Sequence, residues 1–128
     1  MSRHIGMVTL VVRDYDEAIA WYTGVLGFSL VGDTALSPTK RWVVVAPEKD
    51  GAKILLAQAD DDAQTASIGN QTGGRVALFL HTDDFTTDHA AMVKSGVHFL
   101  EEPRHEAYGS VAVFEDLYGN TWDLLQLK

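Results

Sequence analysis

"DYDEAIAWYTGVLGF", residues 14–28, reads as one complete helix with both of its ends written in. Asp14 suits an N-cap, and Glu17 three residues later completes a capping box. Ile19, Tyr22, Val25 and Leu26 recur at roughly helical period, and Gly27 is the residue that ends such a helix in a left-handed turn. A second stretch repeats the plan. In "DDFTTDHAAMVKSGVHF", residues 83–99, Asp83 or Asp84 caps, Phe85, Met92 and Val93 form the apolar side, and Gly96 closes. Asp14 to Gly27 and Asp83 to Gly96 both span 13 positions, and the copies lie 69 residues apart. A period of that length signals a duplicated supersecondary unit.

Working outward, each helix follows one strand pattern and precedes three. The first set is "MVTLVV" (7–12), then "FSLVGDTAL" (28–36), "RWVVVA" (41–46) and "AKILLAQA" (52–59). The second is "RVALFLH" (75–81), then "VHFL" (97–100), "SVAVF" (110–114) and "TWDLLQL" (121–127). Turn chemistry separates them at Ser37-Pro38, Pro47 to Gly51, Pro103 and Tyr118-Gly119-Asn120. The polar stretch 59–74 has the composition of a loop. The expectation is a single α+β domain over 1–128, built from a βαβββ module at 1–57, a linker at 58–74 and a second βαβββ module at 75–128.

Composition narrows the function classes. The chain has 128 residues, no cysteine and a formal net charge of −8. Disulfides, thiolate metal sites and cysteine nucleophiles are excluded. No Lys/Arg cluster marks a nucleic-acid or anionic-membrane surface, so neither partner is expected. No uninterrupted apolar run has membrane-spanning length, and the first residues lack the apolar block of a signal peptide, so a cytoplasmic location is expected. There is no GxSxG elbow, phosphate loop or dinucleotide fingerprint.

The order of elements, "AIAWYTGVLGF" after the first strand and "FEDLYGNTWDLL" (114–125) near the end resemble the vicinal oxygen chelate superfamily, which includes glyoxalase I, extradiol dioxygenases and bleomycin-resistance proteins. The resemblance covers essentially the whole chain. It implies two βαβββ modules, each curling a mixed sheet around a cleft, and a homodimer. In its enzymatic members it also implies a divalent metal held by His, Gln or Glu on the first and last strands of each module, acting as a Lewis acid. Carried onto this chain, those positions hold Met7, Leu55, Ala77 (Arg75 if a bulge intervenes) and Asp123. One carboxylate among four is not a metal site, so neither a metal nor another cofactor is expected.

Strand alternation then assigns a lining to the cleft. Val8, Leu10 and Val12 should lie under the first helix, leaving Met7, Thr9 and Val11 on the other face. By the same alternation Leu55, Ala77, Phe79, His81 and Asp123 face the cleft. Trp42, His105 and Tyr108 are candidates to stack on a flat ligand or overhang it. Asp123 is the residue that most needs a partner, because an unpaired buried charge is costly. It either contacts a cationic or amine-bearing ligand or pairs internally with Arg75, His81 or Lys53. The leading expectation is a metal-free small-molecule-binding protein, sequestering or resistance-like. The alternatives are a metal-dependent lyase, isomerase or dioxygenase with rerouted ligands (His81, His105 and Asp123), and a metal-free enzyme using His81 and Asp123. Whether the chain is an enzyme stays open at this point.

Overall fold

The computed structural model describes every residue from Met1 to Lys128. The chain forms two units, Met1–Ile68 and Gly69–Lys128, each a mixed sheet with a helix on one face.

The first unit contains β1 (Met7–Val12), α1 (Tyr15–Ala20), β2 (Ser29–Ala35), β3 (Arg41–Ala46), β4 (Lys53–Gln58) and α2 (Asp62–Ser67). Its sheet order is β1-β4-β3-β2, with β1 parallel to β4 and the other pairs antiparallel. Of the β1 residues expected beneath the helix, Leu10 and Val12 are buried and join Val43, Val45, Ile54 and Leu56 there, while Val8, at the start of the strand, is 37% exposed. From the helical segment Tyr15, Ala18, Tyr22 and Leu26 come down onto that layer. Each large apolar side chain buried this way contributes about 2 kcal/mol. Two ties fix where the helix starts. Asp14 caps it by accepting from the Glu17 N–H at 2.8 Å, and Gln58 at the end of β4 accepts from the Tyr15 N–H at 3.1 Å.

The second unit contains β5 (Leu78–His81), α3 (Phe85–Ser95), β6 (His98–Phe99), β7 (Arg104–Glu106), β8 (Gly109–Glu115) and β9 (Thr121–Leu127). Its sheet runs β5-β9-β8-β6, again parallel at the first pair, with β7 as an extra antiparallel neighbour of β8. The glutamine tie recurs, as Gln126 of β9 accepts from the Phe85 N–H at 2.8 Å. An aromatic series fills the core: His89 lies 4.3 Å from Phe99, Phe99 5.5 Å from Phe114, and Phe114 5.7 Å from Trp122 between ring centroids.

Four details correct the sequence reading. The second helix is capped by Asp84, which accepts from the Thr87 N–H at 3.2 Å. The count from cap to closing glycine is therefore 12 in the second copy against 13 in the first. The first helix holds the extra residue in a π-turn at Trp21–Val25, where the Leu26 N–H donates to the Trp21 carbonyl five residues back at 3.0 Å. Thr23 donating to the Ile19 carbonyl at 2.7 Å favours that local widening. Val93 is exposed, and Val97 takes its place in the core beside Met92. Within the stretch 58–74, expected as a linker, lies α2. Asp61 caps it, and none of its residues is buried, so it has no apolar stripe to reveal it. Residues 104–106, expected as loop, form β7, an edge strand too short to show a period.

The turn before β9 is the most fully bonded element of the second unit. Asp116 and Asn120 are both buried. Asp116 Oδ1 accepts from the Tyr118 and Asn120 N–H groups at 3.0 Å each, and Asn120 Nδ2 donates to Asp116 Oδ2 at 3.0 Å. Against this turn packs Gly69, at φ 74°, where an added Cβ would fall on the Tyr118 carbonyl oxygen. Gly51 has a similar φ of 98° but open space around it. Gly51→Ala is therefore expected to cost about 1 kcal/mol, the left-handed penalty alone. Gly69→Ala should cost about 3 kcal/mol or more, because backbone must also move. Urea unfolding of the two variants side by side checks the difference.

Candidate functional site

In the first unit the sheet face opposite α1 forms an open cavity of about 870 Å³. Its floor comes from two neighbouring strands, and the register decides it: Thr9 lies beside Leu55 and Val11 beside Ala57. Trp42 of β3 stands at one side, with its residue 43% exposed. An aromatic side chain left this open on a strand offers an apolar surface to a ligand. The volume and the apolar floor with a few polar groups match small-molecule pockets in general.

The walls are held by local bonding. On one side the β2–β3 turn closes with the Leu36 and Ser37 N–H groups donating to the Lys40 carbonyl at 2.8 and 3.1 Å. Ser37 Oγ accepts from the Lys40 N–H at 3.0 Å. On the other side Ala59, Asp60 and Gln64 lead into α2, with Gln64 Oε1 accepting from the Asp60 N–H at 3.0 Å. Arg41 anchors the end of β3. Its guanidinium donates to Asp33 at 2.7 Å and Asp16 at 2.9 Å and lies over the Tyr15 ring at 5.1 Å. The hydrogen bond from Arg41 holds the Asp33 carboxyl below its usual range. With Arg41 committed, Lys40 is the lining cation that has no ion pair.

The second unit carries the remaining expected residues. Phe79 is paired in register with Asp123, and His81 with Leu125, so all three side chains of interest share one face. Phe79 is 55% exposed. Asp123 is half-buried, its Oδ1 is buried without a hydrogen-bond partner, and no ion pair reaches it. Within the second unit the internal pairing with Arg75 or His81 is therefore not made. Burial pushes its pKa up, against a lowering by Arg104 and a further raising by Glu101. Arg104 itself is occupied by Glu101 at 2.8 Å and Glu106 at 3.3 Å.

The other candidates are dispersed. Met7 is exposed at the start of β1 and does not line the cavity. Ala77 precedes β5 and donates its N–H to the Thr121 carbonyl at 2.8 Å. His105 pairs in register with Ser110, one step out of phase with the Val111–Leu125 face that carries Asp123. Its ring approaches Phe85 at 6.5 Å and meets Ser110 Oγ at 2.9 Å. His81 and Asp123 share no hydrogen bond, which leaves no assembled acid–base pair. No group of three or more His, Asp and Glu side chains is placed to hold a metal ion. The sulfur of Met7, the alkyl groups of Leu55 and Ala77 and one carboxylate at Asp123 do not fit the family's divalent metal, which takes nitrogen and oxygen donors. Sequence reasoning missed the turn residues 36–41 and Gln58, Asp60 and Gln64. The period-2 count along β4 puts Ala57 on the Leu55 face, but the turn and α2 lie outside any strand period.

With the geometry in place, the comparisons agree on the class. The family model for the Glyoxalase/Bleomycin resistance protein/Dioxygenase superfamily matches residues 4–124, and the chain belongs to that superfamily. An uncharacterized protein of Shewanella frigidimarina (strain NCIMB 400) is 53% identical over 130 residues, covering 100% of this chain and 96% of the relative. Among solved structures, UcmS2 is 28% identical with a TM-score of 0.84 over 98% of each chain. TnmS3, an antibiotic binding protein from Streptomyces sp. CB03234, is 26% identical with a TM-score of 0.79, over 99% of this chain and 98% of its own. No helix here is long and apolar enough to cross a membrane.

The orphaned Asp123 makes a stability prediction. A carboxyl whose folded pKa lies above its unfolded value destabilises the fold once it is ionised, and the penalty fades as pH falls to the ordinary aspartate range. Asp123→Asn, which keeps the shape of the side chain and removes its charge, is expected to raise stability at pH 7 by about 1 kcal/mol or less, because the side chain is only half-buried. The gain should shrink as pH falls through the raised native pKa toward the ordinary aspartate range, where the charge that carries the penalty is lost. Thermal melts of both proteins from pH 4 to 8 test it; a lower Tm for the variant at pH 7 would show that Asp123 has a partner.

Proposed function

We propose that this protein binds a small organic molecule in the cavity of its first unit, without a metal, and acts by sequestering that molecule rather than transforming it. The observation that carries the reading is the cavity of about 870 Å³ floored by Thr9, Val11, Leu55 and Ala57 and flanked by the exposed Trp42 ring. Such a floor offers area for apolar contact, and the indole offers a face for stacking. Trp42, Lys40 and Gln58 Nε2 supply donors that orient a ligand. The likeness to an antibiotic binding protein supports binding over catalysis. The donor set at the family's metal positions supports the metal-free form. A homodimer and a cytoplasmic location belong to the same proposal and rest on the family resemblance and the composition.

The ring of Trp42 gives the reading its test. Aromatic ligands identified by screening should quench tryptophan emission saturably. Trp42→Ala should weaken their binding at least tenfold, about 1.4 kcal/mol, while the protein stays folded with a modestly lower Tm, because the residue is 43% exposed and lies outside the buried core. Equal affinity for wild type and variant would move the ligand out of this cavity.

A further inference from the structure

The second unit holds a feature that this reading does not use: a carboxylate with no partner, set beside an exposed aromatic ring. Asp123 Oδ1 is buried and accepts no hydrogen bond. An unsatisfied buried acceptor in a folded protein calls for an explanation, and a bound group is one of the few available. The charges near it do not supply one. Arg104 is taken up by Glu101 and Glu106, and Glu101 also accepts from the Val113 N–H at 2.9 Å.

The strand register says what stands next to the carboxylate. Phe79 is its direct neighbour on the parallel strand β5, and Val113 is its neighbour on the antiparallel strand β8. Side chains paired in this way point to the same face and lie within contact range of one another. Phe79 is 55% exposed, an unusual place for a phenylalanine in a strand. A partly exposed carboxylate beside an exposed aromatic side chain is the combination that recognises an organic ammonium. The anion takes the N–H donors, and the ring attracts the positive charge and covers the alkyl stem. A divalent metal does not fit, because no further His, Asp or Glu joins Asp123 in a ligating group. An anion is repelled.

We propose that Asp123 and Phe79 form a binding subsite for a primary ammonium group borne on an apolar body. Both residues belong to the second unit.

The test uses the full chain, ¹⁵N-labelled, titrated at pH 7 with benzylamine as its ammonium ion, and in parallel with benzyl alcohol as a neutral probe of similar shape. Benzylammonium should shift the amide signals of Phe79, Val113 and Asp123 saturably, with affinity at least tenfold lower in Asp123→Asn. Phe79→Leu, an exposed replacement that keeps an apolar side chain, should also weaken binding severalfold. Benzyl alcohol should give no saturable shift at these residues. Trp42→Ala should leave benzylammonium binding intact, which separates this subsite from the cavity of the first unit. Absence of saturable shifts in the wild type, equal affinity of wild type and Asp123→Asn, or equal binding of the alcohol would each overturn the proposal.

Discussion

Each unit depends on one central strand held in register from both sides. β4 lies between a parallel β1 and an antiparallel β3, and β9 between a parallel β5 and an antiparallel β8. Because successive side chains alternate faces, a slip of one residue would exchange the buried and open sets completely. Ile54 and Leu56 in one unit, Trp122 and Leu124 in the other, are committed beneath helices. Their neighbours Leu55 and Asp123 are thereby committed to the opposite face. The site residues are positioned as the complement of the core.

Two kinds of polar residue show how the second unit divides its roles. Asp116 and Asn120 are buried and bonded to each other and to the turn backbone, so their burial stabilises the entry into β9. Asp123, three residues beyond Asn120, has an oxygen that is buried and unbonded. The first pair sets the strand; the second residue stands where the strand puts it, at a cost to the fold. The exposed rings of Trp42 and Phe79 follow the same logic, as apolar area left uncovered in proteins that otherwise bury such groups. Residues that lower stability without a structural return are where function is sought.

Much of this was legible in the residues. The duplicated cap-to-glycine helix and the strands around it pointed to the fold, and alternation placed Thr9, Leu55, Phe79, His81 and Asp123 on their faces. What escaped was set by contacts distant in sequence or by elements too short to have a period. The π-turn depends on Thr23 and the local backbone, and α2 presents only polar and small residues. Gln58 and Gln126 look like ordinary polar strand ends, yet each reaches across to bond the first helical N–H of its unit. His105, a candidate to overhang a ligand, lies in β7, and its pairing with Ser110 of β8 brings its ring toward Phe85. The turn that walls the Trp42 cavity is placed by the pairing of β2 with β3, which no strand period reveals.

The central claim is that this member of the superfamily binds without a metal. Metal retention tests it most directly. The untagged protein would be incubated separately with Zn, Ni, Mn and Fe(II), desalted, and assayed for metal per chain. The account predicts no stoichiometric retention of any of the four, because Met7, Leu55 and Ala77 offer no suitable donor and Asp123 stands alone. Close to one tightly held ion per chain, lost in Asp123→Ala, would contradict it and would place this protein among the metal-dependent enzymes of its superfamily.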